Sequence, residues 1–183
     1  IKNARVQYGG QGPNSNPSGW YPTYTGVLSA QGGRVEVSDS VIENNSAIAV
    51  YTYNGARPKI FRNTIQETAQ NIYAGVAPLG VGIFIGADAS AEINGNTIKN
   101  NSVGIVSESV TNESLIVKDN IFDGNTKNGE FLKGYANWNL ENSGNEDVGK
   151  KGGFYIQFLI ADGQEKIIYA DTMPYIIGGT AKV

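Results

Sequence analysis

The sequence predicts an all-β solenoid, a stack of short parallel strands wound coil on coil. Three observations point there. A six-residue frame recurs five times along the first two thirds of the chain, the turn-forming residues Gly and Asn are unusually frequent, and no stretch repeats its apolar residues at helical spacing. The 183 residues include 24 Gly and 20 Asn, and only 17% are charged. Gly is thus roughly double its ordinary share of about 7%, while charge falls below the usual quarter. Such a chain needs many turns and has little use for long helices.

The frame starts at residues 1, 37, 60, 93 and 117. Its first position is Ile1, Val37, Ile60, Ile93 or Val117, and its sixth is Val6, Ile42, Ile65, Ile98 or Phe122. The fourth holds a small or amide side chain: Ala4, Ser40, Asn63, Asn96 or Asn120. Columns of one residue type are what stacked strands produce, because each side chain meets its equivalents above and below at about 4.8 Å. A buried Asn column satisfies its amide donors and acceptors along the stack, so its burial is not costly.

A second apolar anchor follows the ninth position of each coil, at Leu28, Val50, Phe84 and Val106. From each anchor to the next copy the interval is 9 to 11 residues, whereas the intervals before the anchors are 19, 5, 16 and 5. The basic coil is therefore 23 to 24 residues long. The first and third coils carry insertions at the same turn, so both loops are expected to leave one edge of the stack.

The motif apolar-x-[Asn/Asp/Gly]-[Asn/Ser]-x-Ile-x-x-Asn, seen in Ile93-Asn94-Gly95-Asn96-Thr97-Ile98-Lys99-Asn100-Asn101, resembles the repeat of right-handed parallel β-helix proteins, the pectate-lyase-like superfamily. The resemblance covers residues 1–130 and implies a right-handed single-stranded parallel β-helix of about five coils. It speaks to fold more than to activity, because that superfamily includes lyases, glycoside hydrolases, adhesins and noncatalytic surface modules. Residues 131–183 read as an irregular wrap followed by a C-terminal cover. In the cover, Phe154–Ala161 and Glu165–Ala170 flank Asp162-Gly163-Gln164 as an antiparallel hairpin, Asp-Gly being a strong turn signal. Ile1 falls directly inside a coil. The chain is thus expected to be a piece of a larger secreted bacterial protein, open to end-to-end contact with further coils.

Composition also narrows the chemistry. Without Cys there is no disulfide framework, thiol nucleophile or thiolate metal site, and without His there is no His-based triad. A net charge of −3 with scattered basic residues argues against nucleic acid as a partner. No apolar run reaches the 18 residues of a membrane-spanning helix. What remains is aromatic. The first insertion carries Trp20, Tyr21 and Tyr24, the second carries Tyr73, and the tight coil between them continues into Tyr51 and Tyr53. Aromatic faces beside amides and hydroxyls suit sugar rings, whose C–H groups stack on π faces while their hydroxyls take hydrogen bonds. These six residues are the candidate carbohydrate-binding set.

For catalysis the resemblance is less helpful. Its polygalacturonase-like members carry an Asp cluster and a His-containing motif that are absent here. Its pectate-lyase-like members use carboxylates to hold Ca²⁺ and an Arg or Lys to take a proton. Asp39 and Arg62, both third in the frame, stack on adjacent coils, with Asp119 two coils beyond, and read as an exposed ion pair. Glu43, Glu67, Asp123 and Glu130 read as solvated faces. Asp123-Gly124-Asn125 has the look of part of a Ca²⁺ loop without the further acids, so no cofactor is expected. The expected function is a noncatalytic extracellular surface module that binds polysaccharide or glycan. The alternatives are a uronate lyase-like enzyme fragment and a purely structural stalk or adhesin segment.

Overall fold

The computed structural model describes residues 1–7, 26–68, 80–108, 114–132, 139–148, 153–157 and 173–177. Their regular structure is all strand, in three parallel sheets. A six-strand sheet stacks Arg5–Gln7, Val41–Glu43, Thr64–Gln66, Thr97–Lys99, Ile121–Asp123 and Glu146–Asp147. A five-strand sheet stacks Glu36–Ser38, Lys59–Phe61, Glu92–Asn94, Ser114–Lys118 and Asn139–Ser143. A seven-strand sheet runs Gly26–Gln31, Ile48–Tyr53, Val81–Ile85, Val103–Ser107, Lys127–Leu132, Phe154–Gln157 and Tyr175–Ile177. Each coil adds one strand to each sheet in turn, which is the parallel β-helix that the repeat implies.

The register follows the frame. Val37, Ile60, Ile93 and Val117 are successive partners, as are Val6, Ile42, Ile65, Ile98 and Phe122. Apart from the partly buried Val6, these columns are buried and form the inner core. Many of the strands are only three residues long because the chain turns sharply at two fixed places. The third position has φ of 53° at Asn3, 51° at Asp39, 53° at Arg62, 63° at Gly95, 54° at Asp119 and 66° at Gly144. The eighth position does the same at Asn44, Glu67, Asn100 and Gly124. Asn, Asp and Gly enter this left-handed region at little cost, which explains much of the composition.

Between those corners runs the amide ladder. The backbone N–H and the side-chain Nδ2 of Asn63 both donate to Oδ1 of Asn96, those of Asn96 to Asn120, and those of Asn120 to Asn145, all at 2.9–3.0 Å. Nδ2 also reaches back to the coil before, from Asn63 to the Val37 carbonyl, from Asn96 to Ile60, from Asn120 to Ile93 and from Asn145 to Val117. A second, shorter ladder occupies the ninth position, where Thr68 and Asn101 donate from the backbone to Asn101 and Asn125. Thr68 interrupts that column, and its hydroxyl has no hydrogen-bond partner among the described residues.

Two expectations are corrected. The second anchor is not Leu28, Val50, Phe84 and Val106: Leu28 and Val50 stand opposite Ile83 and Ile105, while Phe84 and Val106 line up with Tyr51. The cause is an additional residue in the Ser46–Ala47 corner. Ile48 follows Asn45 by three places, whereas Val103, its counterpart two rungs on through Val81, follows Asn101 by two, and Ala47 absorbs the difference at φ 70°. A slip of one residue exchanges the faces of a strand. Ile83 and Ile105 therefore join the inner core, whereas Phe84 and Val106 pack with Ile48 and Val81 in a separate cluster on the outer face.

Parallel pairing also continues past residue 130. Asn142-Ser143-Gly144-Asn145-Glu146-Asp147 is a further copy of the frame, with Asn142 opposite Val117 and Asp147 opposite Phe122. Phe154–Gln157 has a parallel neighbour on each edge, Gly129–Leu132 and Tyr175–Ile177. The end of the first arm, the turn and the second arm of the expected hairpin, residues 158–170, lie outside the described residues.

Candidate functional site

Strand Ile48–Tyr53 carries both described members of the aromatic set. Val50 and Thr52 turn inward, with Thr52 fully buried, so the alternation of a strand aims Tyr51 and Tyr53 outward from the seven-strand sheet. Their rings stack at 4.8 Å between centroids with an interplanar angle of 11°. Tyr51 is the anchor of the pair: it leans on the outer apolar cluster and meets the Phe84 ring edge-on at 5.5 Å. Room for it comes from Gly26 on the neighbouring strand, where any Cβ would lie 2.7 Å from the Tyr51 Cβ. Tyr53, half-buried, sits at the strand's end and donates its hydroxyl to Oε1 of Gln31 at 3.2 Å.

Gln31 was not among the sequence candidates. The signal was present, because Gln31 and Tyr53 are separated by the same 22 residues as Leu28 and Val50, and the two pairs share one register. Trp20, Tyr21, Tyr24 and Tyr73 lie outside the described residues. Topology still constrains their segments. Residues 8–25 run directly into strand Gly26–Gln31, and residues 69–79 run through Gly80 into Val81–Ile85. Those two strands flank Ile48–Tyr53 on either side. The two segments therefore lead into the strands that flank Ile48–Tyr53, joining them at the ends opposite Ile48.

Stacked coils with turns of fixed hand make a definite family prediction, and a family model agrees. The model described as the right handed beta helix region matches residues 14–146, well over half of the chain. The chain belongs to the right-handed β-helix family. No curated protein and no solved structure matches it.

Elsewhere among the described residues, several charged groups pair with one another. Arg62 bonds Asp39 through Nε at 2.7 Å and through Nη2 at 2.8 Å, and its guanidinium lies 4.4 Å from the centre of the Phe61 ring. The Arg62 hydrogen bond is the main reason that the Asp39 carboxyl is held below its ordinary value, and Asp39 in turn raises Arg62. Among the described residues no three His, Cys, Asp or Glu side chains are grouped to hold a metal ion. Asn125, the third residue of the Asp123-Gly124-Asn125 segment, turns its amide inward, where it bonds Asn101 and the Ile98 carbonyl.

Glu43 departs from the expected solvated face. It is only 3% exposed, and its carboxylate takes hydrogen bonds from Arg5 Nε at 2.7 Å, from Gln66 Nε2 at 2.6 Å and from Gln7. The first-copy residues Arg5 and Gln7 fold over the second coil at this point. The Arg5 bond, more than any other contact, holds the Glu43 carboxyl below the usual 4.5. In the unfolded chain that carboxyl has its ordinary value, so its stabilising effect is complete above 4.5 and is lost as the pH falls through the lowered folded value. Denaturant midpoints measured from pH 7 to pH 3 are expected to drop in that acid range, and Glu43→Gln is expected to flatten the drop. An equally steep curve in the variant assigns the acid loss to other groups.

Proposed function

We propose that this β-helix is a noncatalytic extracellular surface module that binds a polysaccharide or glycan along the outer face of its seven-strand sheet. The carrying observation is the Tyr51–Tyr53 stack, braced by Phe84 and Gln31 and flanked by the two strands into which the aromatic-bearing segments run. A rigid ladder holds such a surface without the ordering cost that a flexible loop incurs on binding. The lyase-like alternative needs a basic side chain available to take a proton, and Arg62 is bound by both carboxylate oxygens of Asp39.

Retention on a panel of insoluble polysaccharides tests the reading. The intact protein is expected to be retained on at least one, and Tyr53→Ala combined with Trp20→Ala and Tyr21→Ala is expected to weaken retention at least tenfold with an unchanged circular dichroism spectrum. Release of unsaturated uronate ends on adding Ca²⁺ would instead support the lyase. Retention on no member of the panel would leave the stalk.

A further inference from the structure

Asn followed by Gly is a chemically labile pair, because glycine has no Cβ to keep its backbone nitrogen away from the preceding side-chain amide. The chain holds three such pairs, Asn54-Gly55, Asn94-Gly95 and Asn128-Gly129. The fold treats them differently. The peptide between Asn94 and Gly95 is bonded on both sides: its carbonyl accepts the Arg62 N–H at 3.2 Å and its N–H donates to the Lys118 carbonyl at 3.0 Å. Asn128 is only 2% exposed, inside strand Lys127–Leu132, which has a parallel neighbour on each edge. Neither pair can rearrange unless a rung of the stack opens.

The third pair lies at the corner between strands Ile48–Tyr53 and Lys59–Phe61, where Asn54 and Gly55 are both exposed. Their φ angles are 53° and 72°, two left-handed residues in succession as in a type I′ turn, and the Ala56 N–H closes the turn on the Tyr53 carbonyl at 3.2 Å. The Asn54 N–H is held by Asp88 Oδ1 at 2.9 Å. The peptide that follows is not held: among the described residues neither the Asn54 carbonyl, nor the Gly55 N–H, nor the Asn54 side-chain amide has a hydrogen bond. Apart from its chain neighbours, nothing lies within 4 Å of the place that a Cβ of Gly55 would take. This peptide can turn in solvent toward the Asn54 side chain without breaking a strand pairing.

We propose that Asn54 is a site of spontaneous covalent modification, the Asn–Gly pair at which the folded chain deamidates, and that the product rebuilds the corner beside Tyr53. The Gly55 nitrogen gives its proton to solvent and bonds to Asn54 Cγ, the Cγ–Nδ2 bond breaks, and the amide nitrogen leaves as ammonia after taking a proton from solvent. Water then adds to one of the two carbonyls of the resulting succinimide and opens the ring to aspartate or isoaspartate. One water enters, one ammonia leaves, and nothing is oxidised or reduced. Both products set a new carboxylate near that of Asp88. The isoaspartyl product also routes the main chain through the former side chain and lengthens the turn by one methylene. Ala56, which follows directly, is fully buried and its carbonyl accepts the Ser90 N–H at 3.1 Å, so a longer turn displaces that rung.

The test holds the intact protein in mildly alkaline buffer and maps its peptides by mass spectrometry over time, with an isoaspartyl methyltransferase to mark isoaspartate. Conversion at Asn54 is expected to be at least tenfold faster than at Asn94 or Asn128, because those two react only through local opening of the stack. In denaturant the three pairs should convert at similar rates. Asn54→Gln should remove the fast conversion, and aged wild-type protein should melt below Asn54→Gln aged alongside it. Asn94 or Asn128 converting as fast as Asn54 in the folded protein overturns the proposal. The same ranking in denaturant overturns it too, because the reactivity then belongs to the local sequence and not to the corner. Full conversion of Asn54 with an unchanged melting temperature upholds the site and overturns the rebuilt corner.

Discussion

Asn120→Ala is expected to destabilise the protein by about 3–5 kcal/mol, a large share of the 5–15 kcal/mol typical of folded domains. Asn120 is fully buried, and its Oδ1 accepts both the backbone N–H and the Nδ2 of Asn96 at 2.9 Å. Its own Nδ2 donates to the Ile93 carbonyl at 3.0 Å. Alanine keeps the backbone N–H that bonds Asn145, yet it strips the Asn96 N–H of its acceptor and the Ile93 carbonyl of its donor, at about 1–3 kcal/mol for each buried group. The lost side-chain volume adds to this. Equilibrium urea denaturation measures the effect, and a loss below 1 kcal/mol at unchanged m-value would show that the ladder is not a source of stability. The same reasoning has a converse. Thr68→Asn supplies the missing amide to the second ladder and is expected to raise the midpoint.

Phe122→Ala is expected to cost a similar amount, about 3–5 kcal/mol. Phe122 is fully buried at the sixth position, where every other coil has Ile or Val, Asp147 excepted. It meets Phe154 edge-on at 5.5 Å and 85°, linking the middle coils to the rungs that follow. Gly104 makes the space: a Cβ there would come within 3.2 Å of the Phe122 ring and 2.5 Å of the Asn128 carbonyl oxygen. Because solenoid stability is carried by contacts between neighbouring coils, the damage is expected to concentrate beyond Phe122. Hydrogen exchange should show strands Lys127–Leu132 and Phe154–Gln157 losing protection before Thr64–Gln66 does. Uniform loss across all coils would mean that the stack unfolds as one unit.

The columns were legible because stacking imposes the same demand at the same place in every coil. Val37, Ile60, Ile93 and Val117 keep that pattern with enough fidelity to fix register from the residues alone. The copy at Asn142 was missed because Asn and Asp stand at its two apolar positions, leaving only Gly144 and Asn145 to mark it. The anchor slip was hidden for another reason: one added corner residue, Ala47, reverses inside and outside with no change in composition. Glu43 looked solvated because its partners Arg5 and Gln7 come from 36 to 38 residues earlier, across an insertion. Of the candidate site, the outward aim of Tyr51 and Tyr53 was readable from strand alternation.

The amide ladder has a direction. Each Asn takes its acceptor from the coil that comes after it in the chain, as Asn63 does from Asn96 and Asn96 from Asn120. A coil emerging during synthesis thus holds unanswered donors until its successor arrives. Within the ladder, each coil is completed by the coil that follows it in the chain.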